Sequence, residues 1–253
     1  MKLNIFLVLL TVSLSSIVVA QKSQIDNIKT KNGNLSIQPI LHSGLVLTYN
    51  DKTIYVDPYG GGEMYRGLKS PDIILLTDIH GDHLNQETLD AIDTSKAIFI
   101  VPNEVAKQLP EKYNPRIVTL NNNQGVHRLD FFIKAVAMYN LPEEIDAKHP
   151  KGRGNGYVIT MDDKRIYISG DTEDTQEMRM LQNIDIAFVC MNLPYTMDIH
   201  QAASAVLEFQ PKIVYPFHYR GKDGFSDVTA FKKIVNSKNN SIEVRLKDWY
   251  PDN

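Results

Sequence analysis

The chain has 253 residues, 43% of them hydrophobic and 23% charged, a composition that excludes a disordered tail, a collagen-like repeat and a multi-span membrane protein. The formal net charge of −3 offers no cationic excess to neutralise phosphates along a duplex, which argues against nucleic-acid binding driven by bulk charge.

Residues 1–20 carry the pattern of an export signal. Lys2 gives a positive start, Ile5 to Leu10 an apolar core, and Val18-Val19-Ala20 a small-residue end before the polar Gln21-Lys22-Ser23-Gln24. Thr11, Ser13, Ser15 and Ser16 dilute the segment below the run of about 20 apolar residues that a membrane span needs. Cleavage is therefore expected, giving a periplasmic or secreted protein with no membrane span. The remaining residues, 21–253, are close to the upper range for one continuous core, so a single domain is expected. The sole cysteine, Cys190, lies in the apolar run Ile184 to Met191, so no intrachain disulfide can form and a buried strand thiol is expected.

Short β-branched runs come first, at Leu35–Ile37, Gly44–Tyr49 and Thr53–Asp57, with Asn50-Asp51-Lys52 as a hairpin turn. Strand-like and helix-like segments then alternate: a strand at Asp72–Leu76 before a helix at Gln86–Ile92, and a strand at Ala97–Val101 before a helix at Glu104–Leu109. After a strand at Phe131–Met138 the plan repeats. Strands Gly156–Met161 and Arg165–Ser169 flank Asp162-Asp163-Lys164, followed by a helix at Thr175–Leu181 and a strand at Ile184–Met191. A helix at His200–Phe209, a strand at Lys212–Pro216, a helix at Asp227–Val235 and a strand at Ile242–Leu246 complete the chain. Hairpins mixed with strand-helix units predict an α/β protein, a four-layer αββα sandwich of two mixed β-sheets packed face to face with helices on the outer faces.

The densest chemical signal is Thr77-Asp78-Ile79-His80-Gly81-Asp82-His83, where the apolar strand runs out. Alternate residues of extended chain project to one side, so Asp78 and His80 can aim at one point, while Gly81 allows a turn that brings Asp82 and His83 toward a second. Imidazole and carboxylate donors without thiolates suit a divalent ion, zinc foremost, with manganese or iron compatible. Gly170-Asp171-Thr172 and Tyr215-Pro216-Phe217-His218-Tyr219 also end strands, where a rigid sheet can carry a site.

With these motifs in order, the chain resembles the metallo-β-lactamase superfamily of metal-dependent hydrolases. The stretches Leu41-His42-Ser43, Ile54 to Pro58, Ile166 to Glu173, Asn192 to Met197 and Pro216 to Tyr219 make it most similar to the branch containing the L-ascorbate-6-phosphate lactonases. The resemblance implies one or two metal ions. Asp82, His83 and His218 match the ligands of the second ion, Asp171 the carboxylate bridging both, and His80 a ligand of the first. Asp78 stands where the family has its first His of His-x-His-x-Asp-His, and Tyr139-Asn140 follow the strand Phe131–Met138 where a further His is normal. His149, in the loop Ala147 to Gly152, is a candidate for the missing nitrogen.

Asp82 is the expected water-orienting carboxylate, and Asp78 a general base where one metal remains. His42 and Asp57 are expected at the floor of the site as partners that orient ligands. Tyr139, Asn140, Lys151, Arg153, Tyr195, Tyr219 and Arg220 are candidates to line a small-molecule cleft, the cations holding an anionic group. His127 and His200 read as surface or structural residues. Gly60-Gly61-Gly62 lacks the continuation of a phosphate-binding loop. The implied activity is hydrolysis of a small ester, lactone or phosphoester; the alternative is a noncatalytic descendant that keeps one structural metal or a ligand pocket.

Overall fold

In a computed structural model, which describes residues 25–250, each half of the chain builds one seven-stranded sheet. The expected export segment lies outside the described residues. The first sheet takes its strands in chain order: β1 (Asp26–Lys29), β2 (Asn34–Pro39), β3 (Leu45–Tyr49), β4 (Lys52–Val56), β5 (Ile73–Leu75), β6 (Ile98–Val101) and β7 (Ile117–Thr119). β1 to β4 pair antiparallel and β4 to β7 parallel, with helices α1 (Gln86–Ala91) and α2 (Asn103–Ala106) in the crossovers.

The second sheet repeats the scheme. β8 (Gly125–Arg128), β9 (Phe131–Met138), β10 (Gly154–Met161) and β11 (Lys164–Ile168) run antiparallel, then β12 (Ile186–Cys190) and β13 (Ile213–Phe217) add in parallel. A small ribbon, β14 (Arg220–Gly221) and β15 (Gly224–Phe225), stands apart, and β16 (Glu243–Val244) closes the sheet beside β13. Helices α3 (Gln176–Arg179), α4 (Ile199–Phe209) and α5 (Val228–Lys238) occupy the connections. The architecture is the expected αββα sandwich of two mixed sheets.

The period of two explains the layers. Leu35, Ile37, Leu45, Leu47, Ile54, Val56, Ile73 and Leu75 share one core with Ile133, Ala135, Ile159, Ile166 and Ile168 of the facing sheet. The alternate residues Val46, Tyr55, Ile74, Leu76, Phe99 and Val101 pack instead with Leu89 of α1 and Val105 of α2. Strands covered on both faces have no polar side, and β5 and β12 are buried at every position. Cys190 ends β12 fully buried, and that burial pushes its thiol up to about 11, so it is protonated and inert. Helix α4 starts on a capping box between Asp198 and Gln201 and buries Ala202, Ala203, Ala205, Val206 and Phe209.

Several elements depart from the sequence expectation: the ribbon of β14 and β15 was not foreseen, and the helix expected at Thr175–Leu181 is the single turn Gln176–Arg179. β1, β7 and β8 lie on sheet edges and carry few buried residues, so their apolar alternation is faint. The helix expected at Glu104–Leu109 is a single turn, Asn103–Ala106. His127 belongs to β8 itself, exposed, with its ring against Phe132, and His200 is exposed on α4.

Candidate metal centre

The C-terminal ends of β5, β11 and β13 lead into segments that carry donors, and those of β4 and β12 into Asp57 and Asn192 beside them, which gives the site rigid anchors. After β5 the chain turns tightly: the His83 and Leu84 amides both donate to the His80 carbonyl, and Asn85 caps α1 by accepting from the Thr88 amide. Asp57 follows β4 at φ 40°, His42 stands at φ 53° and His218 follows β13 at φ 45°. Three site residues thus hold left-handed backbone that non-glycine residues rarely adopt. Gly170, at φ 61°, precedes Asp171; a Cβ there would be strained and would lie 2.6 Å from Met138 Sδ, so glycine eases this turn.

Asp57 fixes His83. One carboxylate oxygen accepts the Thr77 amide at 2.8 Å; the other accepts the Thr77 hydroxyl at 2.6 Å and lies 2.8 Å from His83 Nδ1. An acceptor at Nδ1 puts the ring proton there and leaves the Nε2 lone pair facing inward. His83 Nε2 lies 3.4 Å from Asp171 Oδ2, and His218 Nε2 lies 3.3 Å from both Asp171 Oδ1 and Asp82 Oδ2. His83, Asp171 and His218 each present a donor atom within 4.8 Å of the others, as do His42, Asp82 and His218.

His149 reaches the same carboxylate from the loop between β9 and β10, its Nε2 3.3 Å from Asp171 Oδ2. Asn140 holds it there: Oδ1 accepts the His149 backbone amide at 2.7 Å and faces Nδ1 at 3.1 Å, while Nδ2 donates to Glu173 and to the Tyr195 carbonyl. The loop histidine therefore joins the centre. Asp78, fully buried, accepts Arg153 Nε at 3.0 Å on one oxygen and Arg153 Nη2 at 2.9 Å on the other, with His80 Nδ1 2.6 Å from that second oxygen.

Several inward-facing atoms are left to receive a cation or a proton, with no hydrogen-bond partner among the described residues. His83 Nε2, His149 Nε2 and Asp171 Oδ1 are buried without a hydrogen-bond partner, close to opposite charges but not in hydrogen-bonding geometry. Leaving such atoms dry costs about 1–3 kcal/mol each, which a bound cation removes. The electrostatics agree. Burial disfavours charge on His83, yet the carboxylates of Asp171, Asp57 and Asp82 outweigh it and raise its affinity for a proton well above the ordinary value. Burial likewise pushes Asp171 up, but His218 and His83 hold it well below the usual carboxylate range. Without metal, protons supply the positive charge that these carboxylates demand. His42 behaves oppositely: burial and the neighbouring His218 push it down to about 4, so at neutral pH it is an uncharged imidazole, edge-on to His218.

The donors border a cleft of about 350 Å³ lined by His80, Gly81, Asp82, Lys148, Asp171, Asn192 and Tyr195. Of the seven residues expected to line it, Tyr195 does and six do not, Arg153 being held on Asp78. Tyr139 is buried, its hydroxyl donating to Glu177 at 2.8 Å beside Lys151, which is itself paired with Glu143 and Glu177. Asn140 orients His149. Tyr219 packs on Phe225 and Tyr250, and the exposed Arg220 lies over the Phe225 ring. Thr77, Lys148 and Asn192 were not singled out from the sequence. Asn192 is nevertheless buried, with Nδ2 3.5 Å from His218 Nε2, and stands in one of the stretches that carried the resemblance.

Fold and site together define a metal-dependent hydrolase. Residues 36–218 match the model of the Beta-lactamase superfamily domain. The chain is 33% identical over 199 residues to a UPF0173 metal-dependent hydrolase of Thermococcus onnurineus, covering 74% of this chain and 86% of that one. A second, from Lysinibacillus sphaericus, is 32% identical over 192 residues, covering 70% and 82%. A crystal structure described as a metal-dependent hydrolase of Parabacteroides distasonis superposes with a TM-score of 0.80 at 38% identity, covering 90% of this chain and 100% of that one. A metallo hydrolase of Ignicoccus hospitalis, 23% identical, shares the fold with a TM-score of 0.71. The chain belongs to the metallo-β-lactamase superfamily and, within it, to the UPF0173 metal-dependent hydrolases.

Proposed function

We propose that the protein is an exported hydrolase, using zinc, of a small ester, lactone or phosphoester that carries an anionic group. The observation supporting this most directly is the convergence of Asp82, His83, Asp171 and His218, with buried donor atoms that lack a hydrogen-bond partner among the described residues. Zinc matches a mixed imidazole and carboxylate set without thiolate. A divalent ion held there would acidify a bound water toward the neutral range and would act as a Lewis acid for a carbonyl or phosphoryl oxygen.

The rest is done by side chains. Asp57 keeps the His83 proton on Nδ1, so Nε2 stays available as a donor. Asp82, with its side chain 35% exposed, is the ligand-type carboxylate that faces solvent, and it orients the attacking water from the cleft. His149 Nε2, turned inward by Asn140, accepts a proton from that water. Lys148 sits over the Tyr195 ring at 5.6 Å and meets the substrate's negative group.

The test is a panel of lactone, phosphodiester and thioester substrates with zinc or manganese, comparing wild type with Asp171→Asn. Turnover by wild type and a loss of at least about 100-fold in the variant are expected. No turnover of any substrate with either metal would leave a noncatalytic descendant instead. Export is supported by the pattern of residues 1–20, and N-terminal sequencing of protein from the producing cell should begin near Gln21.

A further inference from the structure

Asp78, His80 and His149 lie within 4.8 Å of one another, in the lobe where the superfamily resemblance places the first ion. The carboxylate among them is already committed. Both oxygens of Asp78 are forked by the Arg153 guanidinium, and the second also faces His80 Nδ1 at 2.6 Å. Arginine does not deprotonate in proteins, so the cationic half of this pair is permanent. It also removes the charge a dication needs. Asp78 and Arg153 cancel, leaving two imidazoles, whereas Asp82 and Asp171 stand with His83 and His218 and no fixed cation.

Arg153 is not a mobile surface charge. Its side chain is 17% exposed, and the backbone beside it is locked to the end of β5, because the Asn155 amide donates to the Thr77 carbonyl at 2.9 Å. At the intervening Gly154 a Cβ would lie 2.8 Å from that same carbonyl oxygen and 2.5 Å from Met138 Cε, so the close approach depends on glycine.

We infer that the Arg153 guanidinium takes the place of one of the two ions implied by the superfamily site, so that this centre binds a single divalent ion through Asp82, His83, Asp171 and His218. In the substituted lobe His149 Nε2 stays free, beside that ion. The inference rests on the metal-centre reading above, and the experiment separates the two.

Metal-free protein is titrated with Co²⁺ while the visible d–d absorption is followed, and zinc per chain is measured by elemental analysis after dialysis. Wild type should break at one equivalent and retain one zinc, and a variant combining Arg153→Met with Asp78→His should break at two. Two equivalents in wild type overturn the inference and leave the metal centre standing; none overturns both. One equivalent in a variant whose circular dichroism matches wild type overturns the role given to Arg153. Should that variant fail to fold, electron paramagnetic resonance of Mn²⁺-loaded wild type decides: an isolated six-line spectrum is expected, and a spin-coupled pair signal refutes a single ion.

Discussion

Asp57 has no solvent exposure and a left-handed backbone, a conformation that costs a non-glycine residue about 1–3 kcal/mol unless its surroundings over-determine it. Here they do, through the Thr77 amide and hydroxyl and the His83 ring. Asp57→Asn should keep the shape but put an amide N–H against donors, weakening zinc binding by about 10- to 100-fold in competition with a chromophoric chelator. Unchanged affinity would remove Asp57 from this role. The carboxylate was legible because it ends a strand in a motif of the resemblance. Thr77 was not, since a hydroxyl declares itself only through a partner 20 residues away. Arg153 read as a cleft cation for an anionic group for the same reason, its partner Asp78 lying 75 residues distant.

At the level of elements, periodicity carried the reading wherever burial was strong. β9 was legible at its full length, Phe131–Met138, because it crosses the core from end to end. β1 was missed because only Ile28 of its four residues is buried; much of its hold comes from charge. Asp26 accepts from the Tyr215 hydroxyl at 2.8 Å and Arg245 at 3.1 Å, tying the edge of one sheet to the other. Burial pushes Asp26 up, but Tyr215, Arg245 and Lys247 more than offset it, and its proton affinity is lowered. A lowered carboxylate stabilises above its unfolded value, about 3.9, and loses that contribution as pH falls through the folded value. Asp26→Asn should therefore cost about 1 kcal/mol in urea melts from pH 5 to 8, the difference shrinking below about pH 4. A gap independent of pH would assign the effect to packing.

For the whole molecule, a ligand that binds only the folded chain stabilises it by mass action, by about 4 kcal/mol at a thousandfold excess over Kd. Stripping the metal with a chelator should lower Tm by roughly 5–15 °C, followed calorimetrically, and an unmoved transition would mean that no ion spans the centre. The sandwich itself was legible because two runs of hairpin then strand-helix units follow each other along the chain. The seven-residue loop of donors was legible as a metal motif, with Asp57 and His149 expected beside it, but which atom each of them meets, His83 Nδ1 and Asp171 Oδ2, was not, because the facing sheets and their long loops bring those together.

Each sheet is drawn from one uninterrupted half of the chain, the first ending at Thr119 and the second beginning at Gly125. Asp57, Asp82 and His83 belong to one half, His149, Asp171 and His218 to the other, so neither carries a full chelate. Severed within Asn121-Asn122-Asn123, the two polypeptides should reunite in proportion to free zinc, the cation acting as the rivet of a molecule made of two plates.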